Sequence, residues 1–425
     1  MSPKKENISS ISVVHPVCCG LDVHKDTICA CLLWSDAEGK EQQEVAEFGT
    51  FTTHLINLKE WLFAHECPIV AMESTGQYWT PVHNVLEHQF HVLLVNPKHM
   101  KNVPGRKTDA SDSKWIASLL RHGLLRGGFI PPKFQRQWRD LTRMRKSFVR
   151  NLGDFKRRVH KLFQSANIKI DSVATNLFGV TGRNLMKLLV ENTEPLSLSQ
   201  VQRCLMGKLK AKAFELHESI QGHFEDHHRH LLSVLLRTIE HLEDQIDSLD
   251  DSIQKMMADH KDLIEQLKEI PGVSDVAAYS LLSEIGPTLE AFQTPAALAS
   301  WCGLCPGNNQ SAGKKRSGKN RVRKNHLKQI MIEIAWPAIK KKGSYFKSKY
   351  YALKARLGPK KAIVAVAHRL LVAIYHVIKY RHPFKDLGEH YLLNLNRNSK
   401  LKYLKKQAIL LGYELVPKEP IFELS

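Results

Sequence analysis

Between residues 232 and 256 the apolar side chains alternate in steps of three and four: Leu232, Leu235, Ile239, Leu242, Ile246, Leu249, Ile253 and Met256. No strand has that period; it is the a/d seam of a coiled coil or of a long helix in a bundle. A seam needs a partner. The long, strongly basic helical stretch Arg136–Phe163 can pair with it inside the chain, and a second copy of the chain can pair with it from outside. Both arrangements satisfy the pattern.

The segments on either side read differently. Val17–Val23, Thr27–Trp34 and Glu44–Thr52 are strand-like, and Pro68–Met72 and His91–Val95 are short buried strands. Helical spacing marks His54–His65, Tyr78–Gln89 and Asp109–Leu120. Three strands followed by alternating helix and strand predict a mixed sheet with helices packed on it. After the seam the strand signal does not return. Leu267–Val273 reads as a helix-hairpin-helix-like Pro-Gly turn, followed by helices over Asp275–Ile285 and Thr294–Gly303. The chain is therefore α+β and multidomain. Its expected parts are a mixed α/β domain at 15–130 and a helical, coiled-coil region at 131–265. A mostly helical domain at 266–390 and a tail at 391–425 complete it. A segment at about 165–215, with turn-like Gly179, Gly182 and Pro195, is inserted in the helical region.

Charge narrows the class of partner. The formal charge is +20 over 425 residues, which favours a polyanion. Between Lys314 and Lys361 there are seventeen Lys or Arg against one acid, Glu333, with Tyr345, Phe346, Tyr350 and Tyr351 interleaved. So one-sided a run is a phosphate-contacting surface rather than a salt-bridged face. The most apolar C-terminal stretch, Ala362–Ile378, is interrupted by His368 and Arg369, whereas a membrane span needs ~20 mostly apolar residues. No secretory signal is visible at the N-terminus, so a cytoplasmic location is expected. The eight cysteines read as reduced core residues. Cys302-Gly-Leu-Cys305 lacks the further ligands a structural zinc needs.

Four acids stand out. Asp22 and Glu73 each end an apolar strand, in Gly-Leu-Asp22-Val-His and Met-Glu73-Ser-Thr-Gly. Asp109 and Asp112, in Lys-Thr-Asp109-Ala-Ser-Asp112, share one helix face through their i,i+3 spacing. Singly they are turn and cap residues. Together they offer hard oxygen ligands of the kind Mg²⁺ prefers. In a basic protein that set points to phosphodiester chemistry, with paired ions ~4 Å apart.

The ordered set of these motifs resembles the DEDD transposases of a bacterial insertion-sequence family, which carry a RuvC-like (ribonuclease H-like) domain and are bridge-RNA-guided serine recombinases. The run Ala-Ser-Trp-Cys-Gly-Leu-Cys-Pro-Gly-Asn-Asn-Gln-Ser at 299–311, with the Lys-rich stretch after it, resembles that family's second domain. The resemblance covers roughly residues 15–390. It implies that Asp22, Glu73, Asp109 and Asp112 bind Mg²⁺ in the RuvC-like domain and that Ser311 is the nucleophile. It also implies donor and target DNA, a bridge RNA and a homo-oligomer (a dimer, extending to a dimer of dimers) as partners, in a bacterial, nucleoid-associated setting. The inserted segment departs from the shorter members.

Ser311 is followed by Lys314, Lys315, Arg316, Lys319, Arg321, Arg323 and Lys324, a cationic surround able to hold a phosphate. A serine hydroxyl needs a base or a metal to activate it, and no His or acid lies in the ten residues before it. Ser317 is an alternative on sequence grounds alone. The resemblance implies cutting and rejoining through a serine–DNA ester as the expected function, with activation from the carboxylate site. Two other readings stand beside it. One is a hydrolytic RuvC-like nuclease or junction resolvase using metal-activated water, and the other a non-catalytic nucleic-acid-binding protein.

Overall fold

The computed structural model describes residues 12–73, 76–96, 112–305 and 325–416, together with the backbone of 310–311 and 314–315. The chain forms two compact units, Met1–Pro131 and Pro132–Ser425.

The first unit is a five-stranded sheet. Its elements are β1 (Cys18–Val23), β2 (Thr27–Ser35), β3 (Glu41–Gly49), α1 (Thr52–Ala64), β4 (Ile69–Glu73), α2 (Trp79–Leu86), β5 (His91–Val95) and α3 (Asp112–Arg121). The strand order is β3-β2-β1-β4-β5; β1, β2 and β3 are antiparallel, and β1, β4 and β5 parallel. Strands β1, β2 and β4 are near-continuous apolar runs because both of their faces are covered. On one face α1 and α2 bury Leu58, Leu62 and Leu86 against Cys19, Leu21 and Met72. On the other α3 buries Ile116, Ala117 and Leu120 against Cys18, Cys31 and Ala71. Edge strand β3 is half-exposed and carries Glu41, Glu44 and Glu47, which discourages further strand pairing. It begins and ends three residues earlier than its composition predicts. Pairing of Ser35 with Glu41 and Thr27 with Gly49 sets its limits, and α1 starts at Thr52.

Helix α3 lies unusually close to the sheet. A Cβ on Gly20 would stand 2.3 Å from the Ser113 carbonyl oxygen and 2.4 Å from the Ala117 amide nitrogen. Only glycine permits that approach. The cysteines around it are core thiols: burial pushes Cys18 up to about 12 and Cys31 to about 11.

The second unit is helical. Helices α4 (Lys133–Ser165) and α9 (Asp226–Met256) pack along each other, and at ~1.5 Å per residue each is nearly 50 Å long. The seam is thus satisfied within the chain. Leu232, Ile239, Ile246 and Ile253, one per heptad, are buried, while Leu235, Leu242 and Leu249 are half-buried. Met256 does not belong to the seam. It is 41% exposed, and Met257 is buried in its place as the chain turns into the C-terminal core. Two helices cover one row of an a/d stripe fully, and the straight 3.6-residue helix drifts away from a strict seven-residue repeat.

Between them α5 (Ile170–Val173), α6 (Val180–Glu191), α7 (Leu198–Cys204) and α8 (Ala213–Ser219) form a cap with its own core around Ile168, Leu185, Val201 and Leu216. Gly182, read as a turn residue, lies inside α6, where a Cβ would meet the Leu177 carbonyl at 1.9 Å. The C-terminal core joins α10 (Lys261–Lys268), α11 (Asp275–Ile285), α12 (Pro295–Cys302), α13 (His326–Ala338), α14 (Tyr345–Leu357) and α15 (Pro359–Tyr380), and α16 (Tyr391–Leu410) follows. By length and composition α15 could cross a membrane, but Val366, Ala367, Leu370, Leu371 and Ile374 are buried, as in a core helix.

A buried ion cluster fastens α4 to this core. Glu284, 3% exposed, receives Nε and Nη2 of Arg143, each at 2.9 Å, and Arg139 donates from Nε to the Ser283 carbonyl at 2.9 Å. Thr142 and Ser283 hydroxyls bond at 3.0 Å, and Gln135 donates to the Ser283 carbonyl at 3.1 Å.

Two predictions follow from these contacts. Glu284→Gln leaves two guanidiniums facing a neutral group, so the urea midpoint of the second unit should fall by the equivalent of about 3–5 kcal/mol. Gly20→Ala should cost about 1–3 kcal/mol in the first unit and displace the start of α3. An unchanged unfolding midpoint for either variant would contradict the packing described.

Candidate active site

Strand register decides which acids meet. Asp22 follows Leu21, the partner of Met72, and Glu73 follows Met72, so the two carboxylates sit side by side at the ends of neighbouring parallel strands. Alternation puts them on the face shared with Gly20 and Ala71, the face covered by α3. Asp22 pairs across the antiparallel ladder with Cys29, and the Cys29 thiol lies 3.2 Å from the Ser113 hydroxyl. Asp112, the first residue of α3, therefore comes to this same end of the sheet. All three are half-buried. Asp109 lies outside the described residues, so the structure brings together three of the four predicted acids. His24, not singled out from the sequence, approaches Asp22 with Nε2 to Oδ2 at 3.2 Å.

Oxygen donors of this kind suit a small hard cation. Carboxylates grouped at the positive end of a helix also gain from its dipole.

A different donor set lies at the start of α9. Ligand atoms of Glu225, His227 and His228 all lie within 4.8 Å of one another, a cluster able to coordinate a divalent metal. Glu225 caps the helix, and its backbone N–H donates to Nδ1 of His228 at 3.2 Å. Nδ1 of His227 is 3.3 Å from the Glu225 carboxylate. Burial first, and the neighbouring His227 second, hold the His228 imidazole below the ordinary histidine range. That shift favours the neutral imidazole, the state that ligates metal. The signal for this cluster was the Glu-Asp-His-His run directly ahead of the heptad stripe. Its convergence depends on the N-cap turn, which periodicity does not reveal.

The predicted nucleophile Ser311 lies in a two-residue strand, β6 (Gln310–Ser311), paired with β7 (Lys314–Lys315), with Ser311 opposite Lys314. The side chains of Ser311, Lys314 and Lys315 lie outside the described residues, as do Arg316, Lys319, Arg321, Arg323 and Lys324. Cys302 is buried and its thiol is pushed up to about 12 by that burial, as expected of a core cysteine.

The basic helix α4 is less available to nucleic acid than its composition suggests. Arg139 and Arg143 are engaged by Glu284, Arg145 by Asp250, Lys146 by Glu333 and Lys156 by Glu243. Arg150, Arg158 and Lys161 remain exposed. Arg150 lines a cavity of about 870 Å³ with Arg145, Lys146 and the Gly272–Ser274 turn that precedes α11.

Two family models match. Residues 19–168, containing the sheet and its three carboxylates, match a transposase model of the DEDD, IS110 type. Residues 264–351 match the model described as transposase IS116/IS110/IS902 family. No curated protein matches the chain. These findings correct the expected serine–DNA ester. A DEDD domain together with a Glu/His cluster able to hold a metal fits cleavage by metal-activated water, in which the protein supplies no nucleophile and Ser311 forms no bond to DNA. The two matches follow the chain's own order and together span more than half of it; the chain belongs to the IS110/IS116/IS902 family and is a DNA transposase.

Proposed function

We propose that this transposase cuts its DNA by direct attack of water on the phosphodiester, at a Mg²⁺ site formed by Asp22, Glu73, Asp109 and Asp112. What supports the reading is the register that sets Asp22 beside Glu73 on the face covered by α3. Bound Mg²⁺ supplies Lewis acidity, lowering the pKa of water and offsetting charge on the phosphate. The chain's own residues do the rest. The four carboxylates hold the cation, and His24 restrains the Asp22 side chain through their 3.2 Å contact. Lys314, Lys315, Arg316, Lys319, Arg321, Arg323 and Lys324 grip the backbone phosphates, as one-sided positive charge does.

Rejoining needs no protein–DNA ester. Hydrolysis leaves a 3′-hydroxyl, and its oxygen can attack a target phosphodiester, making one P–O bond for each one broken. A structured bridge RNA and a homodimer, in a bacterial cytoplasm at the nucleoid, belong to the same proposal. The net charge of +20 supports the first, and the half-buried row Leu235, Leu242 and Leu249 supports the second.

Cleavage in ¹⁸O-water tests the mechanism. One ¹⁸O should enter the 5′-phosphate at each cut. Asp22→Asn should lower the rate by roughly a hundredfold or more while DNA binding persists, and Ser311→Ala should cut normally. An unlabelled phosphate, with DNA attached to protein, would overturn the proposal.

A further inference from the structure

The end of α15 carries a structure that the cutting site does not use. Arg369, Val372, His376 and Tyr380 follow one another along one face of the helix. The chain passes through a left-handed residue, Arg381, with φ 55°, and folds back as a strap, His382–Leu387. Helix face and strap enclose a cavity of about 340 Å³. The strap is held at two points. Phe384 stacks on Phe346 with centroids 6.1 Å apart, and Oδ1 of Asp386 accepts from the N–H groups of Tyr345 at 2.9 Å and Gly388 at 3.0 Å.

Three rings stand nearly parallel along this cavity. His376 and Tyr380 lie 5.6 Å apart at 13°, and Tyr380 and His382 lie 6.5 Å apart at 18°. They are not core: Tyr380 is 55% exposed, and both histidines are exposed. Arg369 and Lys385 line the cavity, and among the described residues neither forms an ion pair. In the wall, Oδ2 of Asp386 is buried without a hydrogen-bond partner, an acceptor in want of a donor.

We propose that this cavity holds one unpaired base of single-stranded DNA. Exposed parallel rings form the stacking platform such strands use, because every base has a π-face. Unpaired cations beside the platform suit the phosphates on either side of the base. A base's ring N–H or exocyclic amine can supply the donor that Asp386 lacks once the strap adjusts. The volume admits a single nucleoside and excludes a duplex. The proposal rests on DNA as the substrate and is independent of how the strand is cut.

The test uses the full chain without divalent metal, so that nothing is cleaved, and a short single-stranded DNA carrying one 2-aminopurine. Wild-type protein should quench the probe's fluorescence by stacking. Tyr380→Ala should abolish the quenching and weaken single-strand binding about tenfold. Tyr380→Phe should retain both, and duplex DNA should bind wild type and Tyr380→Ala alike. Quenching that survives Tyr380→Ala, no quenching by wild type, or preference for RNA of the same sequence would each overturn the proposal. Failure of wild type to bind duplex would instead overturn the DNA-cutting reading.

Discussion

The second unit depends on a carboxylate that almost no water reaches. Glu284 lies between Arg139 and Arg143, and the hydroxyls of Thr142 and Ser283 bond beside it. A buried charge is tolerable only when its partners and hydrogen bonds are complete, and here both Glu284 oxygens are occupied. The cluster fixes the rotation of α4 about its own axis at the C-terminal core. With that rotation set, Arg145 meets Asp250 with Nη2 to Oδ2 at 2.8 Å, and Lys156 meets Glu243 at 3.0 Å. A helix that composition presents as a phosphate-binding rod is therefore largely a structural beam.

The first unit depends on a missing side chain. Because Gly20 lets the Ser113 carbonyl approach the strand, α3 begins level with the ends of β1 and β4. Backbone packing brings the acids Asp22, Glu73 and Asp112 to one end of the sheet. Their elements were legible in the sequence, because strand ends and an i,i+3 pair are local signals. Their grouping was expected from the ordered motifs, but the register that sets Asp22 beside Glu73, the pairing of Leu21 with Met72, is seen only once the sheet is assembled.

The other differences have the same origin. The limits of β3 are set by β2, and the place of Met257 is set by the turn into α10. Gly182 looks like a turn residue until the Leu177 carbonyl is packed against it. Local preference identifies the elements, and neighbours distant in sequence decide where they stop. The serine mechanism failed for a related reason. It carried a nucleophile over from a resemblance onto a cationic loop, whereas rejoining constrains only the number of phosphodiester bonds, which a 3′-hydroxyl conserves without a protein ester.

The α4–α9 pair joins two cores, and this explains its imperfect seam. Leu232, Leu236 and Ile239 belong to the core of the inserted cap, while Ile253 and Met257 belong to the C-terminal core. Between them Ile246 alone is buried, and the charged contacts of Asp250 and Glu243 flank it. Anchored at both ends, the hairpin does not need a continuous dry seam to stay paired. Its middle can leave Leu242 and Leu249 half-exposed without fraying, because separating the helices there would require breaking one of the two cores first.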